Sequence, residues 1–125
     1  MSRFDGYVPG RYPLDAFGAG GFRFAGMGHV GSILATPAGI GIWPVSRFAE
    51  ITPESFRRVL DEAASIDFLL IGTGADIAFI PQDWRDLLKQ HGVTVEGMAT
   101  GAAARTYNVL VGEDRRVAAA LIAVE

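Results

Sequence analysis

The residues that could bind a ligand are concentrated at a glycine turn, Gly72-Thr73-Gly74, and in the loop that follows it. The two glycines can adopt backbone angles that are closed to other residues, so the main chain could approach an anion there. Asp76 lies in the same loop and adds a carboxylate. Because the turn follows an apolar run, and ligands of open α/β sheets bind at the carboxyl ends of strands, we take Gly72, Thr73, Gly74 and Asp76 as candidate ligand-binding residues.

The glycine turn departs from the known nucleotide-binding loops. A dinucleotide fingerprint requires a third glycine or alanine where this chain has Ile77, and a helix that begins at once. A nucleoside-triphosphate loop requires a lysine, and none follows the turn. The alternative is a tight turn that only reverses the chain, which is the commoner role of glycine.

A second group of candidates lies in the run TGAAARTYN, residues 100–108. Arg105 and Asn108 could bind a carboxylate or phosphate if the fold brings them to the glycine turn. In the structural alternative, Tyr107 is a core residue with a hydrogen-bonded hydroxyl, Arg105 lies in solvent, and Asn108 holds a neighbouring loop. Asparagine is a poor helix former, which indicates a compensating side-chain hydrogen bond and favours the structural roles.

No other chemistry has an assembled set of residues. The chain has no cysteine, which excludes disulfides and thiolate chemistry, and its two histidines, His29 and His91, are far apart. We therefore predict no metal site and no cofactor, with His29 in a surface loop. Because neither a serine-based nor a carboxylate-pair signature is present, we expect a protein without enzymatic activity, while an unassigned enzyme at the glycine turn stays open.

Length and composition indicate one globular domain, residues 1–125, in which 50% of the residues are hydrophobic and 20% are charged. The net charge of −3, with no basic patch, argues against nucleic-acid binding. The longest apolar run, Val117–Val124, is too short to span a membrane, and the first ten residues resemble neither a signal nor a transit peptide. We expect a cytoplasmic protein without a transmembrane segment.

The second half of the chain alternates helices and strands. Phe68–Ile71 is an apolar run typical of a strand covered on both faces, and we predict that it is the central strand. Helices are predicted after Thr52, after Pro81 and from Thr100, and further strands at 93–98 and 117–124. This alternation favours a parallel or mixed sheet with helices against it. Between the glycine turn and Pro81, residues 77–80 are predicted to be a strand or a buried loop.

The first half is rich in glycine and in short apolar runs. Residues 1–13 are predicted to be irregular. Residues 22–24, 32–35 and 40–43 are predicted to be strands of a small antiparallel meander, with a β-turn at 36–39.

These motifs in this order resemble a small α/β domain family of unknown biochemical activity. Its members include a mitochondrial respiratory complex I assembly factor, an adipogenesis-associated protein and many short bacterial proteins. The resemblance rests on IDFLLIGTG, then GVTVEGM, then T-x-x-A-x-x-x-YN-x-L, and finally RRVAAALI. The strand at Gly39–Trp43, followed by Thr52 and its helix, extends it more weakly. Asp114 stands where the resemblance implies a glycine.

The resemblance implies a three-layer α/β fold with a central mixed β-sheet, helices on one face and a smaller antiparallel β layer on the other. It implies a non-enzymatic interaction or assembly factor for a respiratory complex, which binds a protein partner and reaches the inner membrane only through it. It carries over no catalytic residues. The alternatives are a small-molecule or anion-binding domain at the glycine turn, and exposed apolar residues that serve only to form a homodimer.

Overall fold

The fold is organised around a strand at the apolar run 68–72. The structure, a computed structural model, describes residues 4–125. The strands in that range are β1 (Tyr7–Pro9), β2 (Leu14–Gly18), β3 (Gly21–Phe24), β4 (Met27–Val30), β5 (Ile33–Ala35), β6 (Gly39–Ile42), β7 (Phe68–Gly72), β8 (Thr94–Met98) and β9 (Val117–Leu121). The α-helices in the same range are α1 (Arg57–Asp61), α2 (Gln82–Gln90) and α3 (Thr100–Gly112).

Two sheets are formed by the described residues. The larger sheet has the strand order β1-β6-β5-β9-β7-β8, and the small sheet has the order β2-β3-β4. β7 is parallel to both of its neighbours, β8 and β9, whereas β9, β5, β6 and β1 pair antiparallel in succession. The predicted class is confirmed: an α/β fold with a central mixed sheet and a smaller antiparallel sheet.

The central position of β7 is also confirmed. Phe68 is paired with Thr94 of β8 on one side and with Val117 of β9 on the other. Successive side chains of β7 enter different cores: Leu69 and Ile71 pack in a core that contains residues of α1 and α2, and Leu70 packs in a core that contains residues of α3 and the small sheet. Both faces of this strand are therefore covered, as an uncharged apolar run requires.

The helices are distributed differently from the expectation that they share one face. Ala103, Ala104 and Tyr107 bury the inner side of α3 in the core that it shares with the small sheet, opposite α1 and α2. The reason is the direction of the connections. The chain moves one way across the sheet from β7 through α2 to β8, and back the other way through α3 to β9. Right-handed crossovers in opposite directions place their helices on opposite faces.

The first half required three further corrections. The predicted meander is divided, because β5 and β6 join the larger sheet through β9 and leave the small sheet to β2, β3 and β4. Residues 1–13 are not all irregular: Tyr7–Pro9 forms an edge strand whose backbone pairs with Gly39–Gly41 of β6, and residues 1–3 lie outside the described part. His29 lies on β4 rather than in a loop, with its ring centroid 5.0 Å from that of Phe4.

The turn before β9 accounts for one feature of the resemblance. Asp114 has a φ of 59°, in the left-handed region that favours glycine. Aspartate tolerates this region better than most residues, so the turn keeps its geometry where the resemblance implies a glycine.

Candidate functional site

The glycine turn is held by the hydroxyl of Thr73. Its Oγ1 lies 2.7 Å from the carbonyl oxygen of Asp76 and 3.1 Å from that of Met98, and it accepts the backbone N–H of Ala78 at 3.0 Å. The backbone N–H of Thr73 also donates to the Met98 carbonyl at 2.8 Å. One buried side chain therefore fixes the path of residues 73–78 next to the end of β8.

The two glycines of the turn have packing and conformational causes. A Cβ on Gly72 would lie 2.8 Å from Leu121 Cδ2 and 3.0 Å from Thr100 Cα, so only glycine lets α3 approach β7 there. Gly74 has a φ of 112° and donates its N–H to Thr100 Oγ1 at 3.0 Å. The Thr100 hydroxyl, fully buried, donates in turn to the Ile122 carbonyl at 2.7 Å. The turn, the start of α3 and the end of β9 are joined by this one hydroxyl.

An open cleft of about 550 Å³ lies at the carboxyl ends of β7 and β9. Of the residues predicted to bind a ligand, Thr73 and Gly74 line it, and Gly72 and Asp76 do not. Its lining also includes Arg47, whose side chain is 77% exposed and lies 3.6 Å from Glu50. The cleft has the position typical of ligand sites in α/β sheets, with a lining largely of small and apolar residues.

Asn108 and Tyr107 have structural contacts away from this cleft. The Asn108 amide accepts the N–H of Leu14 at 2.7 Å and donates to the carbonyl of the same residue at 2.8 Å, which attaches β2 to α3. Tyr107 is 1% exposed, and its hydroxyl donates to the Tyr12 carbonyl at 3.3 Å. Burial raises the pKa of Tyr107 to about 12. Both residues therefore have the structural roles that the sequence offered as the alternative to ligand binding.

Arg105 also lies outside the lining of the cleft. Its guanidinium stands 5.4 Å from the centre of the Phe17 ring and donates to the Gly101 carbonyl of its own helix at 3.2 Å. The side chain is exposed, and nothing on the described surface brings it to the glycine turn together with Asn108.

Residues 77–80, which we call the apolar loop, are not the strand or buried loop that the sequence predicts. The segment has no regular structure, and Ile77 and Phe79 are 70% and 86% exposed, whereas Ile80 is buried. A groove of about 300 Å³ lies beside them, lined by the loop itself and by Arg85 and Gly97. All four residues of the segment are apolar, so the sequence carries no signal that separates the exposed Ile77 and Phe79 from the buried Ile80.

Residues 4–125 contain neither a cluster of metal-binding side chains nor a helix able to cross a membrane. No group of three or more His, Cys, Asp or Glu side chains in this range could hold a metal ion. None of the helices in this range has both the length and the apolar character needed to cross a membrane.

Comparison with known sequences gave two kinds of relative. The sequence pattern of a family described as "Protein of unknown function (DUF498/DUF598)" matches residues 14–122. An uncharacterized protein of Rhodobacter capsulatus is 42% identical over 113 residues, which cover 90% of this chain and 86% of that protein. The NADH dehydrogenase [ubiquinone] 1 alpha subcomplex assembly factor 3 of Xenopus tropicalis is 32% identical over 109 residues, covering 87% of this chain and 60% of the relative.

A crystal structure gives the same fold. It is that of a protein of Bartonella henselae, which is described as an outer membrane protein. The two structures superpose with a TM-score of 0.89 at 50% sequence identity, and the match covers 94% of this chain and 98% of the Bartonella chain. The fold is therefore shared over nearly the whole of both chains.

Proposed function

Because this chain belongs to the family of proteins of unknown function DUF498/DUF598, we propose that it is a non-enzymatic assembly factor that binds a protein partner during the assembly of respiratory complex I. The relative from Xenopus tropicalis is named as an assembly factor of NADH dehydrogenase, and this chain matches 60% of its length. The family match, residues 14–122, contains the glycine turn, the apolar loop and α3.

The observation that carries the proposal is the exposure of the apolar loop. Phe79 is 86% exposed and Ile77 is 70% exposed, two residues apart on a segment fixed at its start by the Thr73 hydroxyl. Clustered apolar side chains that face water lower the free energy of association when a partner covers them, and such patches mark protein-binding surfaces. Asn108 and Tyr107, by contrast, are occupied by contacts within the chain.

On this proposal the protein works in the cytoplasm and reaches the inner membrane only through its partner, since complex I is assembled at that membrane. The protein of Bartonella henselae is described as an outer membrane protein, which makes the location a separate question. Cell fractionation answers it: the proposal expects the chain in the soluble fraction or, bound to its partner, with the inner membrane. Recovery with the outer membrane would refute this part.

Deletion of the gene tests the function. We expect the deletion strain to lose NADH-linked oxygen consumption and assembled complex I, while oxygen consumption with succinate is unchanged. Succinate is the control because its electrons enter the chain after complex I. Normal amounts of assembled complex I in the deletion strain would contradict the proposal.

The cleft supports a second candidate function, the binding of a small molecule. Its volume of about 550 Å³ falls in the range of ligand pockets, and it lies at the carboxyl ends of β7 and β9. A library of small carboxylates and phosphates, screened by thermal shift, tests this. Arg47→Ala should remove any shift, because Arg47 lines the cleft, and Arg105→Ala, outside it, should leave the shift unchanged. If no compound shifts the melting temperature, or if Arg47→Ala keeps the shift, the proposal that the cleft binds a small molecule is contradicted.

A further inference from the structure

We propose that the apolar loop is the anchor by which this chain docks on its partner, and that the partner presents an apolar pocket rimmed by arginine or lysine side chains. This inference rests on the proposed function only in taking the partner to be a protein. Its basis is the conformation of the loop and the charge around it.

The loop is held in a conformation that presents two of its three large side chains to solvent. Ile80 is 1% exposed and packs in the core of the larger sheet, and Ala78 donates its N–H to Thr73 Oγ1 at 3.0 Å. Ile77 and Phe79 alternate with these two residues and therefore face solvent. A loop that is held before binding loses little conformational entropy when a partner covers it, which is the property of a docking anchor.

The groove beside Phe79 extends the apolar surface. It is lined by the apolar loop, Gly97 and Arg85, and the Arg85 guanidinium donates to the Val95 carbonyl at 2.8 Å. This hydrogen bond holds the Arg85 side chain against β8, where its guanidinium forms one side of the groove. A partner would meet two exposed apolar side chains and a shallow apolar groove in one continuous area.

The balance of charge around this area is negative, because Asp76, Asp83 and Asp86 outnumber Arg85 within residues 76–86. Asp76 precedes the loop and Asp83 follows it in the first turn of α2, both residues are exposed, and neither takes part in an ion pair among residues 4–125. Asp86 accepts a hydrogen bond from the uncharged amide of Gln82 at 2.9 Å. Complementary charges favour encounter and orientation, so a rim of positive side chains suits this surface.

The same charges argue against a second copy of this chain as the occupant. In a two-fold symmetric dimer this surface meets a copy of itself, which brings together two surfaces on which the carboxylates outnumber the single Arg85. Such juxtaposition opposes association. The homodimer expected as an alternative from the sequence is therefore an outcome that the experiment below must distinguish.

Photocrosslinking in the source organism identifies the occupant. A photoreactive phenylalanine analogue is placed at Phe79 in one variant and at Val30 in the control, since Val30 is 84% exposed and lies on β4. We expect the analogue at position 79 to crosslink to a protein other than this chain, and the analogue at position 30 not to crosslink to that protein. A crosslink from position 79 to a second copy of this chain, or no crosslink from it, would overturn the proposal.

Titration of the purified crosslinked protein against this chain then tests the chemistry. Phe79→Ala should weaken binding about 30-fold, as expected of a central aromatic anchor, whereas Val30→Ala should change it less than twofold. Affinity should fall as salt is added, and the double variant Asp76→Asn/Asp83→Asn should bind more weakly and with less dependence on salt. The inference would be overturned if Phe79→Ala left the affinity unchanged. It would also be overturned if neither salt nor the double variant changed the affinity.

Failure of the docking surface can be separated from failure of the proposed function. If the gene deletion lowers complex I but Phe79→Ala binds and complements normally, the function stands and the surface is wrong. If the deletion leaves complex I intact but Phe79→Ala loses the partner, the surface stands and the function is wrong.

Discussion

Replacement of Thr100 by valine should destabilise the fold more than its size suggests. Valine has nearly the shape of threonine, so the change removes the hydroxyl and little else. That hydroxyl donates to the Ile122 carbonyl at 2.7 Å and accepts the Gly74 N–H at 3.0 Å. Thr100 is fully buried, and Ile122 is only 3% exposed although it lines the cleft, so in Thr100→Val the carbonyl loses its side-chain partner where water has little access.

The magnitude follows from the two groups that lose their partner. An unsatisfied buried carbonyl costs about 1–3 kcal/mol. The Gly74 N–H, beside the open cleft, can be reached by water and should cost about 0.5 kcal/mol or less. We expect Thr100→Val to lower the free energy of unfolding by about 1–3.5 kcal/mol. Thr100→Ser keeps both hydrogen bonds and loses one methyl group, which costs about 1 kcal/mol.

Urea unfolding followed by tryptophan fluorescence measures both variants, because Trp43 is buried in the core that contains residues of α1 and α2. The slope of the free energy against urea should be unchanged, which shows that the same surface is exposed on unfolding. If Thr100→Val were no more destabilising than Thr100→Ser, the hydroxyl would not join the turn, α3 and β9 as described, and the reasoning would be wrong.

Three other changes test the packing at the glycine turn and the contacts of α3 with residues 12–14. Gly72→Ala should lower the free energy of unfolding, measured in urea, by about 1–3 kcal/mol, because its Cβ would lie 3.0 Å from Thr100 Cα. Gly112 has open space around it, so the control Gly112→Ala should be within about 0.5 kcal/mol of the parent. Equal effects of the two changes would contradict the close packing at Gly72. The raised pKa of Tyr107, about 12 when folded, means that stability is retained below pH 10 and lost as pH rises towards 12. Between pH 9 and pH 11.5, the free energy of unfolding of Tyr107→Phe should therefore fall by about 2 kcal/mol less than that of the parent. An identical fall in the two proteins would refute the burial of this hydroxyl. Asn108→Asp sets a carboxylate against a backbone carbonyl that now receives a hydrogen bond at 2.8 Å, and it should lower the melting temperature; an unchanged melting temperature would show that this amide does not hold β2.

The second half of the fold follows from the sequence because each element there has a decisive pattern. Phe68–Ile71 has no polar residue to place in water, so it must be covered on both faces, and it is interior to the sheet. The apolar stripes and the glycine after α2 mark the limits of α2 and α3. The helix predicted after Thr52 is α-helical only at Arg57–Asp61, with 3-10 turns at Pro53–Phe56 and Ala63–Ser65. What the pattern does not contain is the face on which α3 lies, because that depends on the order of β8 and β9 across the sheet.

The first half is less predictable since its strands are short and rich in glycine. Alternation identifies β5 and β6 as strands, but it does not say which sheet they join, and that choice depends on pairing with β9, more than 80 residues away. Edge strand β1 is held by backbone pairing with β6, which has no signature in the sequence of Tyr7–Pro9.

The candidate site shows the same limit. The position of the glycine turn at the end of a strand was predictable, and Thr73 and Gly74 do line a cleft. The role of Asn108 depends on Leu14, 94 residues away, so its type alone could not separate ligand binding from attachment of β2. The exposure of Ile77 and Phe79 was missed because a run of apolar residues usually indicates burial.

The central claim, that this chain acts through the apolar loop on a protein partner in respiratory complex assembly, has one direct test. NADH-linked oxygen consumption is measured in the deletion strain that expresses the parent chain, Ile77→Ala/Phe79→Ala or Val30→Ala at equal levels. We predict that the parent and Val30→Ala restore consumption and that the double variant, still folded by circular dichroism, does not. Full restoration by the double variant would contradict the claim.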